Sequence, residues 1–173
     1  YELAWDSFSG LPVYPEFEEK RHVLTERPSA WAGLPLIRGW DFGMNAACVV
    51  AQLQESRLVV LREFIGVNQG ADRFADYVLE QCRMHYPTFT DQRRNWIDVI
   101  DPAGLQRAPT DAGACAKILD EKGLSPQCGP VAFVERRQAV EHFLLRQLRS
   151  GPSFGIWPAD CPILMRGFRG GYR

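Results

Sequence analysis

Apolar residues in the first half of this chain are grouped in short runs. Residues 36–65 contain three of them, LIRGWDF, ACVVAQLQ and RLVVLREFI, whose length and branched side chains predict three consecutive strands. The near-continuous apolar run ACVVAQLQ is typical of a strand covered on both faces. Glu55 and Ser56 leave only a tight connection between the last two runs. We therefore expect a three-strand antiparallel meander.

After residue 70 the apolar spacing changes to that of one helical face. Residues 71–86 predict a helix that ends at Pro87, and NWIDVID then predicts a fourth strand. The apolar face of this helix consists of Phe74, Ala75, Val78, Leu79 and Cys82. Strands followed by alternating helices and strands predict an α/β domain with a mixed central sheet flanked by helices.

Two more helices and a mixed C-terminal segment complete the predicted elements. Thr110 and Asp111 cap a helix that ends at Gly123 and carries Ala114, Cys115, Ile118 and Leu119 on one side. Residues 136–149 predict a helix whose inward face is Ala139, Val140, Phe143, Leu144 and Leu148. A short strand at residues 154–156 and a short helix from Cys161 follow.

The first 35 residues have a different character. Four prolines interrupt them, and six acids against three bases give a net charge of −3. Such a stretch is expected to be an irregular lead-in draped over the domain, anchored by Phe8, Val13, Tyr14 and Phe17. We divide the chain into this lead-in (1–35) and a domain (36–173).

Composition and the absence of certain motifs exclude several classes of protein. A chain of 173 residues fits one domain, and it holds no apolar run long enough to span a bilayer and no visible signal peptide. The five cysteines form no CxxC pair, so we expect buried free thiols. The three histidines show no ligand spacing and are interpreted as surface or helix-face residues. No phosphate-binding loop motif occurs, so nucleotide hydrolysis is unsupported.

The net charge of −1 hides an uneven distribution. From Arg136 to Arg173 the chain carries seven arginines and two acids, a net of +5 (7 − 2). Arginine suits forked contacts to phosphate, so this stretch is a candidate nucleic-acid surface. The alternative is a solvated helix face followed by a flexible tail.

Two acids at predicted strand ends are the strongest candidates for chemistry. Asp41 ends an apolar strand and shares a face with small residues, and Asp101 ends the strand NWIDVID. If the two strands are neighbours, the carboxylates approach and favour a hard divalent cation between them. For Asp41 the alternative is a capping role in a turn. Asp98, on the opposite face, is expected to pair with Arg93 or Arg94. Glu63 is a possible additional acid or a solvent-facing one.

Five segments of the chain form an ordered series of short motifs: GLPVYPEFEEKRHV, LIRGWDFGMNAACVVAQLQESRLVVLREF, WIDVIDPAGLQR, ERRQAVEHFLLRQL and CPILMRGFRGGY. Together these segments resemble the nuclease domain of the large terminase subunit of tailed bacteriophages. Each motif is short, but their order and spacing cover nearly the whole chain.

The resemblance implies an RNase H-like fold and a metal-dependent endonuclease that cuts concatemeric viral double-stranded DNA during genome packaging. Asp41 and Asp101 would hold two Mg²⁺ or Mn²⁺ ions about 4 Å apart around the scissile phosphate. Arg136, Arg137, Arg166 and Arg169 would contact DNA. The partners implied are the ATPase motor domain, the small terminase subunit and the portal, in the host cytoplasm, with no membrane and a monomeric isolated domain.

One family feature has no counterpart here. The family has a third acid on a later helix, and this sequence offers no matching residue before Arg173. We therefore expect the domain to be truncated at its C-terminus, with the third ligand further along the chain. The alternatives are another RNase H-like nuclease or transposase relative, and a non-catalytic module that docks DNA or a packaging partner.

Overall fold

A computed structural model describes residues 12–43, 45–101 and 111–171. The strands are β1 (Leu36–Asp41), β2 (Ala47–Gln54), β3 (Arg57–Ile65), β4 (Trp96–Ile100), β5 (Gln127–Cys128), β6 (Gln147–Leu148), β7 (Gly151–Pro152) and β8 (Phe154–Ile156). Six of them form one sheet in the order β5-β4-β1-β2-β3-β8, and β6 pairs with β7. β1, β2 and β3 are antiparallel neighbours, whereas β4 runs parallel to β1 and β8 parallel to β3. The predicted meander and mixed sheet are confirmed.

The hairpin between β2 and β3 turns at the two residues that the sequence suggested. Glu55 has φ 48° and Ser56 has φ 69°, both in the left-handed region. Consecutive left-handed residues twist the chain in the sense that a tight hairpin needs. The more usual Asn-Gly signal is absent, so here the pairing of long apolar strands determines the turn.

Helices flank the sheet. They are α1 (Glu19–His22), α2 (Ala71–His85), α3 (Gln92–Asn95), α4 (Asp111–Glu121), α5 (Phe133–Leu145) and α6 (Pro162–Arg166), with single turns at Pro158–Asp160 and Gly167–Gly171. α2 follows its prediction closely, and all five residues of its predicted apolar face are buried. Gly123 has φ 81° just beyond α4, as predicted for a helix terminator. Thr110 lies outside the described residues.

The prediction for α5 was wrong in its bounds, and its buried face is confirmed only for Val140, Phe143 and Leu144, which pack in or against the smaller apolar cluster. The helix begins at Phe133 and ends at Leu145, because the residues after it turn back as the hairpin β6–β7. Only Leu144 is fully buried, whereas Ala139 is exposed. Phe133 and Val134, in its first turn, are also exposed. α5 therefore packs mainly through its C-terminal end.

Two apolar clusters hold the layers together. The larger one joins α2 to one face of the sheet through residues such as Leu36, Trp40, Val50 and Phe74. The smaller one joins α5, β8 and the C-terminal turns, and Tyr14 and Phe17 of the lead-in pack against it. These two are predicted anchors, and the backbone carbonyl of Val13, a third, accepts a hydrogen bond from Arg137. Phe8, the fourth, lies outside the described residues.

The histidine and cysteine predictions are only partly confirmed. His85 and His142 are exposed, but His22 is fully buried, because it fills the contact between α1 and the end of α5. The five cysteines form no disulfide with one another, yet Cys128 is exposed and Cys115 only half-buried. Burial raises the pKa of Cys82 to about 11 and that of Cys161 to about 12, which keeps both thiols protonated. In the described part of the chain, no helix has the length and apolarity needed to cross a membrane.

Candidate metal centre at the strand ends

Asp41 and Asp101 lie side by side at one edge of the sheet. β1 and β4 are parallel neighbours whose register pairs Trp40 with Ile100. The amide of Asp101 donates to the carbonyl of Trp40 at 3.2 Å, so the ladder continues one residue past β4. The predicted approach of these two acids required their strands to be neighbours. That condition is met.

Both carboxylates belong to the open face of the sheet. Leu36, Arg38 and Trp40 are buried on the α2 side of β1, whereas Asp41 is exposed on the other. Gly39 shares that open face, and a Cβ atom built on it would meet nothing within 4 Å. The strand end therefore leaves space beside Asp41 for a ligand.

The charge of Asp101 acts on the carboxyl of Asp41. Partial desolvation and then the negative charge of Asp101 raise the pKa of Asp41, while the amide of Gly43 and the guanidinium of Arg136 lower it. The Gly43 amide donates to Oδ1 of Asp41 at 3.1 Å, which is the turn geometry expected of a capping Asp. That bond occupies one oxygen only, so it is compatible with a cation on the pair.

Arg136 is a further charged group at this edge. Its Nη1 donates to Oδ1 of Asp101 at 2.6 Å, and the two side chains remain 30% and 34% exposed. The contact brings the first turn of α5 to the end of β4. Sequence reasoning placed Arg136 among DNA-contacting arginines and missed its ion pair with Asp101, because 35 residues separate them.

Asp98 does not pair with Arg93 or Arg94, so that prediction was wrong. Its carboxylate accepts from Nε and Nη2 of Arg38, at 2.7 and 2.9 Å, and from the indole of Trp40 at 2.7 Å. The physical reason is register, since Arg38 is directly opposite Asp98 in the sheet and both are buried. The backbone amides of Arg93 and Arg94 instead bond the side chain of Asp91, the N-cap of α3.

Glu63 lies on the open face but two strands from β1, in the row of Gly39 and Val49. Its two oxygens accept the amides of Ile163 and Leu164 at 2.6 and 2.7 Å, so it caps the start of α6. Within residues 12–43, 45–101 and 111–171, no three His, Cys, Asp or Glu side chains are grouped closely enough to hold a metal ion. The described site therefore consists of two carboxylates.

The other predicted DNA-contacting arginines lie in different surroundings. Arg137 pairs with Glu16 at 2.9 Å and with Glu141 at 2.8 Å. Arg169 makes a forked contact to Glu19, at 2.8 and 3.0 Å. Arg166 is exposed and has no ion pair within the part of the chain that the structure describes. Arg137 and Arg169 are therefore held in ion pairs with acids of the lead-in and of α5.

The fold is similar to that of several solved phage terminases. The large terminase of the thermophilic bacteriophage D6E, in complex with ATP-gamma-S, matches at a TM-score of 0.69 and 10% identity over 91% of this chain. The nuclease of the large terminase from thermophilic phage G20c matches at 0.56 and 15% over 88%. The nuclease domain of the SPP1 large terminase g2p, with bound Mn, matches at 0.52 and 16% over 78%. The matches cover 37% of the D6E chain, 77% of the G20c chain and 67% of the SPP1 chain.

These likenesses concern the fold. No family model matches the sequence, and no curated protein matches it either. The RNase H-like fold that the motif resemblance implied is confirmed, since the chain has the fold of large terminase nuclease domains.

Proposed function

We propose that this chain is the nuclease domain of a tailed-bacteriophage large terminase, a metal-dependent endonuclease that cuts concatemeric viral double-stranded DNA during packaging. The observation that carries the proposal is the juxtaposition of Asp41 and Asp101 at adjacent strand ends. The fold supports the same conclusion, because the SPP1 and G20c nuclease domains with this fold were solved with bound Mn and Mg.

The chemistry of the two side chains fits divalent ions. Two neighbouring carboxylates on the open face, with the pKa of Asp41 raised partly by the charge of Asp101, need a cation to relieve their repulsion. Carboxylate oxygens are the ligands that Mg²⁺ and Mn²⁺ prefer. We propose that Asp41 and Asp101 would hold two such ions. Bound there, the ions supply activation of water and stabilisation of the leaving oxygen.

The protein's own groups bind and orient the DNA in this proposal. The open face around Gly39 admits the phosphodiester backbone, and Arg166 is exposed for phosphate contact. In the full protein the domain follows the ATPase motor and works with the small subunit and the portal, in the host cytoplasm. We expect a third ligand outside the described residues, with the isolated domain a monomer.

One observation favours a second candidate, a non-catalytic module that docks DNA or a packaging partner. Only two carboxylates meet in the described site, which is fewer than the three that the resemblance implies. Another RNase H-like nuclease or transposase relative would share the acidic strands. Metal-dependent cleavage separates an enzyme from a docking module, and preference for packaging-type substrates separates the two enzymes.

The experiment is cleavage of supercoiled plasmid by the full protein that carries this domain. We expect nicking with Mg²⁺ or Mn²⁺ and none with EDTA. Asp41→Asn and Asp101→Asn should each lower the rate by at least about a hundredfold, since each removes a charged metal ligand. Asp120→Asn, an exposed acid on α4, is the matched control and should cut at the wild-type rate. Undiminished cutting by either site variant would exclude this metal site.

A further inference from the structure

The side chain of Arg136 lies where a cation is expected in the proposed metal site. Its guanidinium donates a short charge-assisted hydrogen bond to Oδ1 of Asp101, at 2.6 Å. Its positive charge is also felt by Asp41, next to Asp101. One arginine thus serves as counter-ion to both acids.

The charges in this arrangement are not balanced. Asp41 and Asp101 together carry two negative charges when ionised, and Arg136 supplies one positive charge. A divalent ion supplies two and binds the same oxygens, but it repels a guanidinium that shares an oxygen with it. Ion and arginine therefore compete for Asp101.

The arginine is also incompletely satisfied in its present position. Its Nε is buried and has no hydrogen-bond partner among the described residues. A buried donor without a partner costs free energy, so another position that satisfies more of the guanidinium is favoured once the pair with Asp101 is lost. A phosphate offers two acceptor oxygens in the geometry that a guanidinium matches.

The first turn of α5 allows such a movement. Phe133 and Val134 are 58% and 60% exposed, and the buried residue of this helix, Leu144, is at its other end. Arg137 holds the helix to the lead-in through Glu16 at 2.9 Å. Arg136 can therefore change rotamer while Arg137 and Leu144 keep α5 in position.

We propose that Arg136 is the resident counter-ion of the Asp41–Asp101 pair and exchanges with the divalent ion, so that metal binding releases its guanidinium to a DNA phosphate. The inference rests on the proposed function, because it needs these two acids to bind metal. It makes Arg136 a positioning residue that couples metal binding to DNA binding at this site.

The test measures Mn²⁺ binding to the purified chain without DNA. Calorimetry, or the electron paramagnetic resonance signal of free Mn²⁺, reports the affinity. Arg136→Gln should bind Mn²⁺ about threefold to tenfold more tightly than the wild type, because one competing charge is removed. Arg149→Gln is the matched control, since Arg149 is exposed and has no ion pair in the described residues. It should bind Mn²⁺ as the wild type does.

Two further variants separate the possible failures. Asp41→Asn should weaken Mn²⁺ binding in both the wild-type and the Arg136→Gln backgrounds. If it does so while Arg136→Gln alone binds no more tightly than the wild type, the exchange is wrong and the metal site stands. If Asp41→Asn changes nothing in either background, the metal site is wrong, and the exchange is overturned with it.

Duplex DNA binding gives a second readout. Arg136→Gln should lose more affinity in Ca²⁺, a hard cation that takes the same oxygen ligands, than in EDTA, because only the metal-bound protein has this arginine on the phosphate. We expect about a tenfold loss in Ca²⁺ and about threefold or less in EDTA. Equal losses under both conditions would contradict the exchange.

Discussion

The same two strands carry two polar sites of opposite character. In the middle of β1 and β4, Arg38 faces Asp98 on the buried side, and the acid accepts three hydrogen bonds. At the ends of these strands, on the open side, Asp41 lies beside Asp101, and acid faces acid. The two sites are three positions apart on each strand. Because successive side chains of a strand alternate between the two faces of the sheet, this odd spacing puts the sites on opposite faces.

The difference separates a structural acid from a candidate ligand-binding one. Asp98 has its counter-ion within the chain and is 4% exposed, so it holds the strands in register and is shielded from a ligand in solvent. Arg38 also lies over the ring of Trp96, at 4.2 Å from its centroid. Among the residues that the structure describes, Asp41 accepts one backbone hydrogen bond and has a neighbour of the same charge. The two environments, and not the residue type, identify the candidate site.

Breaking the buried pair should give the largest effect. Asp98→Asn leaves the charge of Arg38 buried without a counter-ion, and we expect a loss of about 3–5 kcal/mol in the free energy of unfolding. Urea denaturation followed by tryptophan fluorescence measures it. The control Asp120→Asn, exposed on α4, should stay within about 0.5 kcal/mol of the wild type. A loss below about 1 kcal/mol for Asp98→Asn would mean that the pair does not hold the strands together.

Sequence reasoning located the exposed site better than the buried one. Strand periodicity and the position of Asp41 and Asp101 at the ends of apolar runs were sufficient to predict that they meet if their strands are neighbours. The partner of Asp98 was predicted among nearby residues, but Arg38 is 60 positions away and becomes its partner only through sheet register. Local spacing carries no information on such register. The polar Arg38 within an apolar strand was the available signal.

The C-terminal half was harder to predict for a related reason. Apolar residues of α5 are spaced as on a helical face, yet Phe133 and Val134 are exposed, since the helix packs by one end only. Whether such a face is covered depends on elements distant in the sequence. The burial of His22 was also mispredicted. It depends on a contact with the carbonyl of Leu144 in α5, which is 122 residues further along the chain.

His22 extends the comparison, since it is a buried polar group satisfied within the chain as Asp98 is. Its Nδ1 accepts from the amide of Glu18 at 2.9 Å, so the neutral ring carries its proton on Nε2, 3.0 Å from the carbonyl of Leu144. Burial lowers its pKa below 6.5. As the pH falls, the unfolded chain therefore takes up a second proton on this ring before the folded chain does. The contribution of His22 to the free energy of unfolding is fully present above pH 6.5 and decreases as the pH drops below it.

We expect the free energy of unfolding to be lower at pH 5.5 than at pH 7.5 by up to about 1.4 kcal/mol, which is the value of one pH unit of proton linkage for a single group. Urea denaturation at the two pH values measures the difference. His22→Gln should remove most of it, whereas His142→Gln, which changes an exposed ring on α5, should retain it. If His22→Gln kept the pH dependence of the wild type, other titrating groups would be the cause of that dependence.

The smallest effect on the free energy of unfolding should come from replacing Asp41, and the sign of this effect distinguishes the exposed site from the buried one. Because the folded pKa of Asp41 is raised above 3.8, its charge opposes folding at neutral pH, and this cost disappears as the pH falls below 3.8, where the carboxyl is protonated in both states. In EDTA at pH 7, Asp41→Asn should therefore be more stable than the wild type, by a few tenths of a kcal/mol because the group is largely exposed. Excess Mn²⁺ should reverse the order, since bound ion stabilises only the protein that keeps both acids. A variant less stable than the wild type in EDTA would instead make Asp41 a structural acid like Asp98.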